Sequence, residues 1–147
     1  MTLDKTLSKF GYPDSIISEN EHWYTLLRPE QITFSSIILI CKNEQRNLFS
    51  QLSKAEQFAM FEAIRVIEKV ILNEFDCQKI NYLALMMVDP FVHYHVIPRY
   101  NSSVNFGDLE FLDPGFPGIP DLGYSTSMTG SVFLDLVTHI RGKFNGK

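Results

Sequence analysis

The spacing of apolar residues changes period several times along the chain. Between residues 79 and 100 it alternates: Val92, Tyr94 and Val96 take one parity, and Phe91, His93, His95 and Ile97 the other. In a strand, residues two apart share a face. The first set is expected to meet a core. His93 and His95 are then expected side by side on the opposite face, in line with Phe91 and Ile97. Pro90 and Pro98 bracket the run, as at a strand that starts and stops sharply. Residues 80–87 are expected to pair antiparallel with residues 92–100, turning through Val88-Asp89-Pro90.

Upstream, residues 3–14 read as a short helical or irregular lead-in closed by Gly11-Tyr12-Pro13, and residues 15–18 as a short strand. Residues 22–27 read as an aromatic-rich strand. Residues 36–41 are apolar at every position from Ile37, which predicts a central strand covered on both faces. Ser53 and Glu56 have the spacing of a capping box, so a helix is expected to open there and run to about Phe75. Met60, Ile64, Ile67 and Ile71 give it an apolar stripe, which Phe58 and Phe61 are expected to broaden. Past Tyr100 the character is irregular, and residues 113–120 are too rich in Pro and Gly for helix or strand. They form a connector or a lid. A closing helix is expected over residues 131–141, with Gly142 as its stop.

Strands, a long helix, two more strands, an irregular segment and a final helix make an α+β fold with an antiparallel sheet. At 147 residues one domain is expected, with residues 101–124 as its irregular part. A net charge of −4 argues against non-specific nucleic-acid binding, which needs a basic footprint. Cys41 and Cys77 are too few for a disulfide framework or a cysteine-based zinc site. Residues 1–6 carry no apolar run of the leader type, and no apolar run approaches the ~18 residues of a membrane span. A cytoplasmic protein with no membrane contact is the expectation.

Two imidazoles at i and i+2 on one strand suit a pair of half-buried side chains, a metal site or a catalytic pair. A metal site would need a third ligand such as His22 or Asp89. His22 reads first as a strand-edge residue and His139 as a helix-surface one.

The run Phe91-Val92-His93-Tyr94-His95-Val96-Ile97-Pro98-Arg99 resembles the signature of the histidine triad (HIT) superfamily. There, three histidines alternate with apolar residues and Pro-Arg often follows. The stretch from about Ser15 to Arg99 is similar to that fold, and within the superfamily to its diadenosine-polyphosphate-hydrolase-like branch. The resemblance carries His93 onto the nucleophilic second histidine and His95 onto the third. Phe91 stands where the first would be, and Ser36 where a further family histidine often lies. It implies a hydrolase that cleaves at the α-phosphate of a nucleoside phosphate through a nucleotidyl-histidine. Diadenosine-polyphosphate-like or phosphoramidate-like substrates fit that chemistry. It also implies no metal in that reaction, no other cofactor, and a homodimer. Asn81, Arg28 and Arg99 match positions near ribose or phosphate, and Trp23 and Leu26 positions near the base. Binding without turnover, and a nucleotidyltransferase or phosphorylase activity, stay open as alternatives.

Overall fold

The computed structural model describes residues 1–146. A short helix α1 (Leu3–Lys9) opens the chain. Then come β1 (Ile16–Glu19), β2 (Trp23–Leu27), a two-residue β3 (Glu30–Gln31) and β4 (Ile37–Cys41). The long helix α2 (Lys54–Glu74) leads to β5 (Lys79–Leu83) and β6 (His93–Arg99). The hairpin β7 (Val104–Phe106) and β8 (Leu109–Phe111), a short β9 (Thr126–Ser127) and α3 (Gly130–Gly146) complete it. β1, β2, β4, β6 and β5 lie side by side in that order, antiparallel throughout. This is the expected α+β layout, with α1 as a third helix. Among the described residues no helix is long and apolar enough to cross a membrane.

The all-apolar β4 sits at the centre, and all five of its residues are buried. Its alternate side chains feed two separate cores. Leu39 and Cys41 join Trp23, Leu27, Val92 and Val96 under α2 and α3. Ile38 and Ile40 join Leu26 and Phe91 on the other face, beneath Leu3, Leu7 and Phe10 of α1 and its C-cap. Each fully buried aliphatic side chain contributes roughly 1.5–3 kcal/mol.

The capping box at the head of α2 forms as expected: Ser53 Oγ accepts from the Glu56 amide at 3.1 Å, and the Glu56 carboxylate from the Ser53 amide at 2.8 Å. Phe58 and Phe61 do not broaden the buried stripe. They are 69% and 61% exposed. At about 100° per residue they point roughly 160° and 100° away from Met60, so the core face is Met60, Ile67 and Ile71, with Ile64, Ala63 and Val70 half-buried beside them.

Four boundaries differ from expectation. β5 leaves the sheet after Leu83, because Met86 adopts a left-handed backbone (φ 52°) that no strand continues through. β6 runs on through Pro98 rather than stopping before it. Its ladder with β4 ends at Val96, and an edge is where a strand tolerates proline. The segment after Tyr100 contains the β7–β8 hairpin, turned by Gly107 at φ 60°. α3 continues past Gly142, since Phe144 two residues later is only 3% exposed and anchors the extension.

Candidate active site

The site begins with register. His95 pairs across the sheet with Ile38 of β4 and Leu83 of β5, and His93 with Ile40. The strand alternation therefore sends both imidazoles to the α1 side. Their ring centroids are 5.2 Å apart at 71°. Tyr94 turns to the other face, where its ring stacks on Phe49. α1 covers one half of the histidine face and stops short of the other half. A cleft of about 430 Å³ remains there, framed by Lys9 and Phe10, by residues 28–30 after β2, and by the loop 85–89.

The hydrogen bonds assign each ring a tautomer. Nδ1 of His93 lies 2.7 Å from the carbonyl oxygen of Phe91. A carbonyl only accepts, so Nδ1 carries the proton and Nε2 keeps a lone pair. Nδ1 of His95 lies 3.0 Å from Nη1 of Arg28. A guanidinium only donates, so here Nδ1 is the acceptor and Nε2 carries the proton. One strand thus presents one basic ring nitrogen and one N–H donor next to each other. Burial, then the Arg28 charge and His93, pull the pKa of His95 down to about 4, so it is neutral at pH 7. Arg28 is itself pulled below its ordinary value by burial but stays a cation.

A second polar knot closes the cleft. Asp89 Oδ1 accepts from the Thr6 hydroxyl at 2.9 Å, and its other oxygen pairs with Lys9. Burial pushes the Asp89 carboxyl up. The hydrogen bonds from Lys9 and Thr6 and the Lys9 charge outweigh that and leave it below its usual value. The Phe10 ring lies between two cations, 5.1 Å from Lys9 Nζ and 5.7 Å from Arg28 Cζ. Its edge meets His95 at 6.5 Å. Lys9, Phe10 and the loop 85–88 carry no sequence motif, and only the fold brings them to the histidines. Asp89 was legible only as a turn residue or a metal ligand.

Of the residues singled out from the sequence, His93, His95 and Arg28 meet in the cleft. Arg99 and Asn81 do not. At ~3.3 Å per residue Arg99 stands about 13 Å along β6 from His95. Its guanidinium grips both oxygens of Asp113 at 2.8 and 3.0 Å, and donates to Asn81 Oδ1 at 2.8 Å and to the Gly118 carbonyl at 2.9 Å. This pair pins the irregular segment to the sheet, and none of residues 106–120 lines the cleft.

Trp23 and Leu26 do not reach the cleft either. Trp23 is fully buried on the α2 side of the sheet, with its indole N–H donating to the Glu56 carbonyl at 2.8 Å. Leu26 shares the histidine face but lies under α1. Ser36 knots the turn after β3, donating to the Thr33 carbonyl at 2.8 Å and accepting from the Thr33 amide at 3.0 Å. The Phe91 ring is 4% exposed and packs beneath α1. His22 lies 3.9 Å from Glu21 and away from the cleft, and His139 contacts Glu74 at 2.7 Å. Among the described residues no group of three His, Cys, Asp or Glu is gathered in metal-ligating geometry.

No protein-family model and no curated protein sequence matches the chain. Solved structures do. A histidine triad protein from Marinobacter aquaeolei VT8 superposes with a TM-score of 0.72 at 19% identity, covering 98% of this chain and 93% of that one. A histidine triad (HIT) protein from Sinorhizobium meliloti 1021 gives 0.69 at 20%, over 97% and 93%. A Plasmodium falciparum diadenosine triphosphate hydrolase, solved in complex with cyclomarin A, gives 0.68 at 11%, over 92% and 79%. The chain has the fold of these histidine triad proteins.

Proposed function

We propose that the cleft binds a nucleoside phosphate and that His93 cleaves it at the α-phosphate, making the protein a nucleotide hydrolase. The observation that carries this reading is the pair of opposite tautomers, set by the Phe91 carbonyl and the Arg28 guanidinium. The Nε2 lone pair of His93 forms a bond to phosphorus. The bond from phosphorus to the leaving group breaks, and the leaving group departs with that electron pair. Imidazole suits this step, since neutral it is a good nucleophile. The Nε2–H of His95, with Arg28 behind it, holds the non-bridging oxygens as charge builds on them. Water then attacks the nucleotidyl-histidine. The N–P bond breaks, its electrons return to Nε2, and a nucleoside monophosphate leaves as the water proton passes to solvent. One structural neighbour bears the name of a diadenosine triphosphate hydrolase, which favours a dinucleoside-polyphosphate-like or phosphoramidate-like substrate.

A second reading is nucleotide binding without turnover. It is favoured by the 2% exposure of His93 and by the ring of Phe91 where the sequence resemblance expects a histidine. A panel of dinucleoside polyphosphates and nucleoside phosphoramidates separates the two by release of monophosphate. Release in water supports hydrolysis. Release only when inorganic phosphate is added indicates a phosphorylase. Binding with no release across the panel overturns both catalytic readings.

Assembly is part of the proposal. β5 is an edge strand, and Phe58, Phe61 and Leu72 stand exposed on the outer side of α2. A symmetric pair of copies would cover an apolar flank that is otherwise wet.

A further inference from the structure

The family resemblance implies base contacts at Trp23 and Leu26, and both are fully buried outside the cleft. A nucleotide in this cleft therefore needs another apolar wall. One stands at the mouth. The loop after β5 presents Leu85, Met87 and Val88 at 52%, 80% and 77% exposure, directly beside the histidines. Large apolar side chains this exposed, grouped at the rim of a polar cleft, mark a binding surface. The loop is also held in place. Met86 between them packs into the main core while its backbone takes φ 52°. A long side chain rarely adopts that conformation, which persists only where its surroundings enforce it, commonly at ligand sites. Met86 is half-buried between that core and the cleft, which it also lines, while Leu85, Met87 and Val88 stay exposed. Phe10 and Pro29 supply apolar surface on the same cleft wall as Lys9 and Arg28.

Building on the nucleotide reading above, we propose that the rim formed by Leu85, Met87 and Val88 seats the nucleobase. The phosphate then lies between Lys9 and Arg28 against the two imidazoles. The cleft thus has a polar pole of donors, Arg28, the His95 N–H and Lys9 on its Asp89 partner, with Glu30 at its edge, and an apolar pole of the loop and Phe10. A base with its phosphate matches both poles at once, whereas inorganic phosphate matches only the first.

The test is equilibrium binding, which needs no turnover. Adenosine 5′-monophosphate and inorganic phosphate are titrated calorimetrically into wild-type protein and into the double variant Met87→Ser, Val88→Ser. Both substitutions are neutral and at exposed positions, so the fold and the cleft charge stay as they are. Leu134→Ser, an exposed apolar residue on α3 outside both the cleft and the proposed dimer flank, is the control. Wild type is expected to bind the nucleotide at least roughly tenfold more tightly than phosphate, about 1.4 kcal/mol. The double variant is expected to lose roughly that tenfold for the nucleotide while phosphate affinity stays within about 2-fold. Nucleotide affinity unchanged in the double variant would place the base elsewhere and overturn the inference. So would a nucleotide bound no more tightly than phosphate. Loss of a wild-type dimer in the double variant would assign the loop to a second copy and overturn it as well. The hydrolase reading stands or falls separately, on monophosphate release in the substrate panel.

Discussion

The substitution Phe91→His introduces the residue type that the sequence resemblance expects at this position, and the structure says what it should do. The bond that orients His93 comes from the backbone carbonyl of residue 91, at 2.7 Å, and survives any side-chain change. The side chain itself is buried at 4% exposure among Leu26, Ile38, Ile40, Leu3, Leu7 and Phe10. None of these side chains offers a hydrogen bond. An imidazole there loses the phenyl packing and buries polar nitrogens, at a cost of about 1–3 kcal/mol for unpaired groups. For a chain of this size about 2–3 kcal/mol lowers Tm by roughly 4–12 °C. The introduced imidazole is also disfavoured as a cation by burial, so its pKa falls below ~6.5 in the folded state. The unfolded chain then binds more protons in that range, and the deficit should widen as pH falls from 8 to 5.5. Turnover per folded molecule should change by less than about 100-fold, the range of outer support lost at a site. Melting curves at two pH values and kcat/KM on the best substrate test this together. An unchanged Tm with activity appearing only in the variant would refute it, and would show that the ring position acts on phosphorus.

Other expectations follow from the same geometry. His93→Ala should lower kcat by on the order of 10⁴-fold or more while a nucleotide still binds, because the nucleophile acts in the transition state; near-wild-type turnover would remove His93 from that role. Arg28→Met should raise the titration midpoint of His95 from about 4 part of the way back to ~6.5, since burial remains after the charge is gone. NMR of the ring protons reads it, and an unmoved midpoint would refute the contact. Because the folded pKa of His95 is depressed, its contribution to stability is complete above ~6.5 and lost as pH falls through about 4, which acid melting of wild type and Arg28→Met compares. In solution at micromolar protein the mass should be that of a dimer, reduced to a monomer by Phe58→Glu with Phe61→Glu, and a monomeric wild type would refute the assembly.

The histidine pair was legible because strand alternation alone decides which face a residue takes. The same rule put Trp23 and Leu26 on opposite faces but carried no information about what covers each face. α1 covers Leu26, and its apolar residues Leu3, Leu7 and Phe10 are too few to announce a partner. The capping box and the centrality of β4 were legible because each is a local pattern. Arg99 read as a phosphate ligand because its partner Asp113 lies fourteen residues on, in a segment with no periodicity. Phe58 and Phe61 were misplaced because a stripe judged by composition ignores the angle each position subtends. Gly142 read as a stop because the pull of Phe144 beyond it is a tertiary effect.

The clasp from Thr6 and Lys9 to Asp89 joins residues 83 and 80 positions apart. During synthesis at ~5–20 residues per second, roughly 4–16 s separate their emergence from the ribosome. Through that interval Leu3, Leu7 and Phe10 can meet Leu26, Ile38 and Ile40, but they lack Phe91 and the carboxylate that will hold the helix. The cleft therefore cannot exist on a nascent chain that ends before residue 95, however much of the earlier sheet has paired. Nucleotide affinity measured on stalled chains of increasing length should appear in one step, once β6 has cleared the exit tunnel.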